Sequence, residues 1–341
     1  MSASSSAASA VHVAIVGATG AVGQEFLTVL AERNFPIKSL RLLASARSAG
    51  KNVTFKGQTY RVEELTKDSF KGVQIAFFSA GGSVSKEFAP AAVAAGAVVV
   101  DNTSAFRMKD GIPLVVPEVN AHMIDKHVGI IANPNCSTII MNVPVWPLHK
   151  ANRIKRIIVS TYQAVSGAGA WGLYELENQM KQSAGGLAVQ KEKFPHQIVN
   201  NLFCHNTKIA DNGYNEEENK MVNETRKIFG DPKIMVSATC VRVPVPRAHS
   251  ESINLEFERP ITADQVREIL RKAPGVKIVD DREANHFPMP LEASGQDDVL
   301  VGRIRQDISR EDGRGIELFV SGDQIRKGAA TNAVQIAERL I

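Results

Sequence analysis

Cys136 stands in "NPNCSTI" (residues 133–139), behind an apolar run and at the head of a helix-like stretch, "CSTIIMNVPVW". A thiol with the ordinary pKa of about 8.5 is only ~3% thiolate at pH 7. A helix N-terminus stabilises the anion and lowers that pKa, the setting a nucleophile needs. The other two cysteines, Cys204 and Cys240, lie far off in the chain and read as structural. Three widely spaced cysteines without a C-x-x-C argue against a disulfide framework and against a cysteine-based zinc site, so no metal is expected and a reducing compartment fits.

A nucleophilic cysteine wants an acid/base partner. Of eight histidines, His12 falls in a strand, and His122, His127, His149, His196, His205 and His286 fall in surface-like or loop settings. His249 differs: in "CVRVPVPRAHSES" it stands with Arg242 and Arg247 among prolines that stiffen a strand and its turn. On spacing alone it reads equally as a catalytic partner or as a surface histidine.

A second chemical signal lies near the start. "VAIVGATGAVGQEF" places Gly17, Gly20 and Gly23 at a strand-to-helix junction, spaced G-x-x-G-x-x-G. That is one residue off the usual dinucleotide fingerprint but meets the same need, backbone close to a pyrophosphate and a helix N-terminus facing it. A plain glycine turn is the alternative, and the surrounding strand–helix alternation speaks against it. A free ribose 2'-hydroxyl usually meets an acid after the second strand. Here that strand ends "LLASARSAGK", with Ser45, Arg47 and Ser48 and no acid, which suits a 2'-phosphate and hence NADP. Cys136, at the end of a later strand across from the glycine loop, falls where the nicotinamide would lie.

These residues need a frame. "VHVAIVG", "SLRLLAS", "VQIAFFSAGG", "GAVVVDNTS" and "VGIIANPN" read as five buried strands, with "GQEFLTVLAERN" and "SKEFAPAAVAAG" as intervening helices. The pattern implies an α/β fold, a Rossmann-like doubly wound N-terminal domain with ligands at the carboxyl ends of its strands. Later, "RIKRIIVSTYQAV", "IMVSATCVRVPV", "ESINLEFE" and "DVLVGRIRQDI" alternate like antiparallel strands, with "YNEEENKMVNETRKIF" and "TADQVREILRKA" as helices. An α+β catalytic and dimerisation domain with a mostly antiparallel, half-exposed sheet follows. The closing "KGAATNAVQIAERLI" reads as an amphipathic helix returning to the first domain. The expected division is a disordered tail over 1–10, an NADP-binding domain over 11–135 plus 325–341, and a catalytic and dimerisation domain over 136–324.

The composition is that of an ordinary globular protein: 341 residues, 44% apolar, 22% charged, net charge +4. No basic block points to nucleic acid, and no apolar run of about 18 residues points to a membrane span. "MSASSSAASA" lacks the apolar core of a signal peptide and the arginines of a full transit peptide; a trimmed targeting sequence is the alternative. A soluble intracellular protein is expected, in the cytoplasm, or in the plastid stroma of a plant or alga.

Taken together, "GATGAVG", "DNTSAFRM", "VPEVN", "NPNCSTI", "QAVSGAG", "ATCVRVPV" with "RAHSE", and "GDQIRKGAATNAVQIAE" make the chain resemble the bacterial and plant branch of the aspartate-β-semialdehyde dehydrogenases, from Val11 to Ile341. The resemblance implies NADPH-dependent reduction of L-aspartyl 4-phosphate to L-aspartate 4-semialdehyde through a cysteine thioester, in the biosynthesis of lysine, threonine, methionine and isoleucine. It implies Cys136 as nucleophile, His249 as acid/base group and Gln163 as the residue orienting the acyl group. Arg242 matches the arginine that pairs with the substrate α-carboxylate, and Glu217 the acid on its amine side. Arg107, Asn135 and Lys220 match the groups at the phosphoryl end. The expected cofactor set is Gly17, Thr19, Gly20, Ala21 and Val22 of the loop, Ser45, Arg47 and Ser48, then Ser79, Ala80 and Gly81 after the third strand, and Ser166, Gly167 and Asn332. Expected partners are the small-molecule substrate, phosphate and a second copy of the chain, as a homodimer or homotetramer. The alternatives are another phosphorylating acyl reductase of the same architecture, such as the N-acetylglutamyl-phosphate reductase type or glyceraldehyde-3-phosphate dehydrogenase, and a non-catalytic nucleotide sensor. The first two carry G-C-Y or S-C-T-T around their cysteine, whereas this chain reads "NCSTI".

If Arg47 meets a 2'-phosphate, Arg47→Ala should weaken NADP binding and leave NAD binding nearly untouched when both are titrated by fluorescence. Equal losses for the two cofactors would refute the assignment.

Overall fold

The computed structural model describes residues 9–341, so the expected tail lies outside it except for Ser9 and Ala10, which precede the first strand without regular structure. The chain divides into two compact units, residues up to 117 with 121–134 and 330–341, and residues 118–120 with 135–329. Asn135 and Ile325–Ala329, expected with the first domain, therefore belong to the second unit, as do Glu118–Asn120.

The first unit opens with β1 (Val11–Val16), buried at all but one position because it lies between β2 (Ile37–Ala44) and the later β6. Helix α1 (Ala21–Glu32) buries Phe26, Leu27, Val29 and Leu30, the apolar positions of its helical repeat. A hairpin of β3 (Asn52–Phe55) and β4 (Gln58–Arg61) follows, then β5 (Glu63–Glu64). Lys56 and Gly57, both at positive φ, make its two-residue turn. Next come β6 (Ile75–Phe78), α2 (Gly82–Ala94), β7 (Val98–Asp101), the single turn α3 (Pro117–Asn120) and β8 (Ile130–Ala132). The sheet has six strands in the order β5-β2-β1-β6-β7-β8, all parallel, and the order reverses between β1 and β6. In such sheets the crevice at the reversal, beyond the carboxyl ends of the strands, is the ligand site.

The second unit begins with α4 (Cys136–Ala151), β9 (Ile154–Gln163), α5 (Ala170–Ala184), β10 (Phe203–Cys204) and α6 (Glu216–Phe229). It continues with β11 (Met235–Arg242), β12 (His249–Phe257), α7 (Ala263–Arg271), β13 (Val276–Ile278), α8 (Pro290–Ala293), β14 (Val299–Gln306) and β15 (Gly315–Gly322). These strands form one sheet in the order β10-β11-β9-β12-β15-β14-β13. The sheet is mixed: β9 with β11 and β13 with β14 run parallel, and the other neighbours run antiparallel. The alternating pattern of Met235–Arg242 predicts an antiparallel neighbour, but alternation reports only one buried face and not strand direction. Two helices separate β9 from β11, and a crossover of that length permits a parallel return.

Beyond β15 a π-helical turn (Arg326–Ala330) leads into α9 (Thr331–Ala337). The sequence predicts an amphipathic helix here. Instead Thr331, Asn332, Ala333, Val334, Ile336 and Ala337 are all buried, so α9 is a core helix of the first unit. Inside the second unit, Lys327 and Glu118 form a buried ion pair, Nζ lying 2.8 and 2.7 Å from the two carboxylate oxygens, which ties the 118–120 segment to the π-helical turn.

The core of the first unit centres on Phe77, fully buried, whose ring lies 4.8 Å from that of Phe26 and 6.5 Å from that of Phe35. Truncating a ring in such a cluster removes transfer energy and leaves a cavity. Phe77→Ala should cost about 3–5 kcal/mol, read as a lower urea midpoint; a loss below about 1 kcal/mol would show that the cluster does not hold this core.

Candidate active site

Cys136 is the first residue of α4, half-buried, with Asn135 as N-cap. Asn135 serves two roles through one amide. Its Oδ1 accepts from Thr138 N at 3.2 Å, and its Nδ2 donates to Glu217 Oε1 at 2.8 Å. The first turn of α4 carries no acidic side chain of its own, so the positive end of the helix lies at the thiol. On the other side, a Cβ built on Gly328 would lie 2.8 Å from the Cβ of Cys136. The π-helical turn thus lies against Cys136, and only a residue without a side chain leaves it room.

The remaining groups come from three neighbouring strand ends. Arg242 and Gln163 are register partners at the carboxyl ends of the parallel strands β11 and β9. The antiparallel strand β12 starts beside them at His249, one step beyond its Ser250–Tyr162 pair. Gln163, Arg242 and His249 are all buried. Such strand ends bring distant residues together without relying on loops.

Glu217 and Arg242 are held by defined partners. Glu217, from the first turn of α6, accepts from Asn135 Nδ2 at 2.8 Å, Gln163 Nε2 at 3.2 Å and Lys220 Nζ at 3.3 Å. Burial pushes its pKa up, but His205 when protonated, the Lys220 ammonium and the two amides outweigh that and hold it at about 2. His205 itself is pulled down to about 4, chiefly by burial, so at neutral pH Lys220 and the amides are what keep Glu217 ionised. Arg242 donates to Ala164 O at 2.6 Å and to His205 Nε2 at 2.7 Å, and its buried Nε has no protein partner.

His249 accepts a hydrogen bond from Ala164 N at Nδ1, 2.9 Å, and its Nε2 has no protein partner. An imidazole that accepts at Nδ1 carries its single proton on Nε2. Burial first, then Arg242, hold its pKa well below the ordinary value, so the ring is neutral and presents Nε2–H. It is fixed from behind by Ala248, which adopts φ 70 and donates its N–H to Gln324 Oε1 at 2.8 Å. A left-handed alanine is a local strain of the kind found at functional sites.

The first unit carries the other expected residues. Gly17 adopts φ +88 at the end of β1, and a Cβ there would lie 2.6 Å from Ser79 O, so glycine is required. The N-termini of α1, capped by Gly20, and of α2, capped by Gly81, have no side-chain cap and no acid in the first turn, leaving their N–H groups to a ligand. Thr19, Gly20, Ser45, Arg47, Ala80 and Gly81 are exposed around these strand ends, and Ala21, Val22, Ser48 and Ser79 are half-buried. The loops fit a dinucleotide. Arg107, which could have been a solvated loop charge, is buried and donates to Asn133 O at 2.9 Å and Asn102 O at 2.7 Å. Asn332 is buried, its amide donating to Val115 O at 2.9 Å and Asn133 Oδ1 at 2.6 Å. In the second unit Ser166 is buried with its hydroxyl bonded to the Gln324 amide, and Gly167 is exposed.

Some of the site escaped sequence reasoning. Glu224 accepts the Asn135 N–H at 2.6 Å, and it lies one buried stripe along α6 from Glu217. Acids at 217 and 224 fall among Met221 and Ile228 in that stripe, a readable signal. His205, placed among the surface histidines, lies instead against Arg242. It follows a two-residue strand, too short for any periodicity to mark.

A nucleotide-binding parallel sheet followed by a mixed-sheet unit that carries a helix-N-terminal cysteine is the build of the two-domain semialdehyde dehydrogenases. The family model for the semialdehyde dehydrogenase NAD binding domain matches residues 12–127, and that for the semialdehyde dehydrogenase dimerisation domain matches residues 145–327. Within that class the chain belongs to the aspartate-semialdehyde dehydrogenases, an oxidoreductase family. It is 55% identical to the aspartate-semialdehyde dehydrogenase of Synechocystis, over 98% of each chain. The enzyme of that name from Aquifex aeolicus is 56% identical over 97% of this chain and 98% of its own. The crystal structure of aspartate semialdehyde dehydrogenase II from Vibrio cholerae, complexed with ASA, superposes with a TM-score of 0.94 at 49% identity, over 98% of each chain.

Gly328→Ala should displace Cys136 or the turn against it and lower kcat at least about tenfold, with little change in melting temperature. A full-rate Gly328→Ala enzyme would show that the contact does not set the position of the thiol.

Proposed function

We propose that this chain reduces L-aspartyl 4-phosphate to L-aspartate 4-semialdehyde and phosphate, with NADPH as reductant. The observation that carries this reading is the pairing of a buried guanidinium, Arg242, with a buried carboxylate, Glu217, in the same unit as Cys136. An amino acid presents one carboxylate and one ammonium, and this arrangement answers both. Arginine suits the first because its planar fork matches a carboxylate bidentately.

A carboxylate resists hydride, so the acyl group must arrive activated, as an acyl phosphate. Cys136 thiolate attacks that carbonyl, the C–O bond to phosphate breaks with its electron pair, and a thioester remains. Arg107 and Lys220 supply positive charge for the leaving phosphate in this reading, and Gln163 orients the acyl group. NADPH supplies a hydride when bound, and Gly17, Gly20, Gly81, Ser45, Arg47 and Ser48 would hold it. As the thioester carbonyl becomes a tetrahedral alkoxide, His249 Nε2–H donates to the developing oxygen, a role supported by the Ala164 hydrogen bond that assigns the proton to Nε2. The N–H of Ser137, in the first turn of α4 without an intrahelical acceptor, adds a second donor. Collapse of the alkoxide expels the Cys136 thiolate and leaves the aldehyde, returning the site to its starting charge.

NADP rather than NAD is favoured by Ser45, Arg47 and Ser48 and the absence of an acid among them. For the dimer we assign the open face of the second unit's sheet, where Tyr162 and Met235 are exposed on the side opposite Gln163 and Arg242. A cytoplasmic or stromal setting agrees with a role in amino-acid biosynthesis.

The test is the reverse reaction: aspartate semialdehyde, phosphate and NADP, with the reduced cofactor followed by absorbance. A phosphate-dependent signal is expected, lost in Cys136→Ala and reduced roughly 10²–10⁴-fold in His249→Ala. Without phosphate dependence the substrate assignment falls, and activity surviving Cys136→Ala would sink the mechanism.

A further inference from the structure

Arg242 is buried, and of the five N–H donors of a guanidinium it commits one to Ala164 O at 2.6 Å and one to His205 Nε2 at 2.7 Å. The Phe194 ring lies 5.9 Å from the guanidinium carbon, and a Cβ on Gly167 would approach Nη1 to 3.2 Å. The group is therefore held on several sides, and its buried Nε has no protein partner.

His205 reaches it from the edge of the sheet. Phe203 and Cys204 pair with Arg242 and Val241, and the His205 N–H donates to Cys240 O at 2.7 Å, which fixes where the imidazole projects. A guanidinium can only donate, so His205 Nε2 accepts and its proton is on Nδ1. Nδ1 faces Thr207 Oγ1 at 3.3 Å, and the same hydroxyl accepts the Glu217 N–H at 3.2 Å. A continuous relay thus runs from the backbone of Glu217 through Thr207 and His205 to Arg242.

We propose that His205 is the positioning residue of Arg242, setting the guanidinium at a fixed separation from Glu217 so that the pair matches the α-carboxylate and α-ammonium of one amino-acid substrate. The proposal rests on the reading of Arg242 and Glu217 given above. Neutrality is what makes histidine suitable. A carboxylate at this position would hold Arg242 as well but would cancel the charge that the substrate carboxylate needs. His205 stays neutral because burial, then Arg242 and Lys220, outweigh Glu217 and Glu216 and lower its pKa to about 4.

Steady-state kinetics of the full chain in the reverse direction, varying aspartate semialdehyde, phosphate and NADP in turn, test this. His205→Ala should raise KM for the semialdehyde roughly 10- to 100-fold, the worth of one hydrogen bond to a charged group. KM for phosphate and for NADP should stay within about twofold, since the loss is confined to binding at Arg242. His205→Gln, whose side-chain oxygen can accept from Arg242, should recover most of the loss. His205→Glu should be worse than His205→Ala although its melting temperature is no lower. The inference is overturned if His205→Ala keeps the wild-type KM for the semialdehyde, if all three KM values rise together, or if His205→Glu outperforms His205→Ala. A wild-type protein inert toward the semialdehyde removes the functional reading and this inference with it, whereas an active wild type with an indifferent His205→Ala removes this inference alone.

Discussion

A carboxylate taken out of water must be met by donors or it will not stay charged. Glu217 is such a group, 5% exposed, and most of the second unit's active-site geometry can be traced to meeting it. Asn135 reaches it from the cap of α4, Gln163 from the end of β9, and Lys220 from the next turn of α6. Three elements that share no local sequence are therefore required to converge at one point. Cys136 is the residue after the first donor, so positioning the carboxylate also positions the Cys136 thiol. Losing Glu217 would leave two buried amides without their acceptor, and the cost would fall on the site as a whole.

The second constraint is strand direction. Were β9 and β11 antiparallel, Gln163 and Arg242 would stand at opposite ends of their shared face. Parallel pairing puts both at the same end, and the antiparallel entry of β12 adds His249 beside them. A mixed sheet is thus how this chain gathers three side chains from strand ends. The cost appears two residues along β12, in a buried carboxyl. Glu251, on the same covered face as His249, is fully buried with no hydrogen-bond partner for either oxygen, and burial pushes its pKa well above the ordinary carboxylate value.

Much of this was legible in the residues. Continuous apolar runs such as "VHVAIV" announced strands buried on both faces, and the glycine spacing marked the loop between β1 and α1. The placing of Cys136 at a helix start was legible in the residues that follow it. His249 was not, since spacing left it undecided until its burial and its bond to Ala164 settled the tautomer. Strand direction was hidden because alternation reports only which face is buried. Strand β15 and helix α5 drew no reading: "GIELFVSG" merges with its flanking turns, and "AWGLYELENQMKQSA" leaves several large apolar side chains exposed. The arrangement around His205 depends on contacts 37 residues apart, beyond the reach of any local pattern.

Helix α9 closes the core of the first unit from far along the sequence, Ala333, Val334, Ile336 and Ala337 packing mostly among residues more than two hundred positions earlier. On a ribosome those early residues emerge long before the helix that completes their packing. Domains usually fold in the order of synthesis; here the first unit has to wait for α9 to be made, by which point every residue of the second unit has already left the peptidyl-transferase centre. The nucleotide-binding core is therefore sealed after the second unit is made, and a nascent chain stalled or nicked ahead of α9 would expose the apolar surface that α9 covers. Quality control that recognises exposed apolar surface would meet this protein through its N-terminal half.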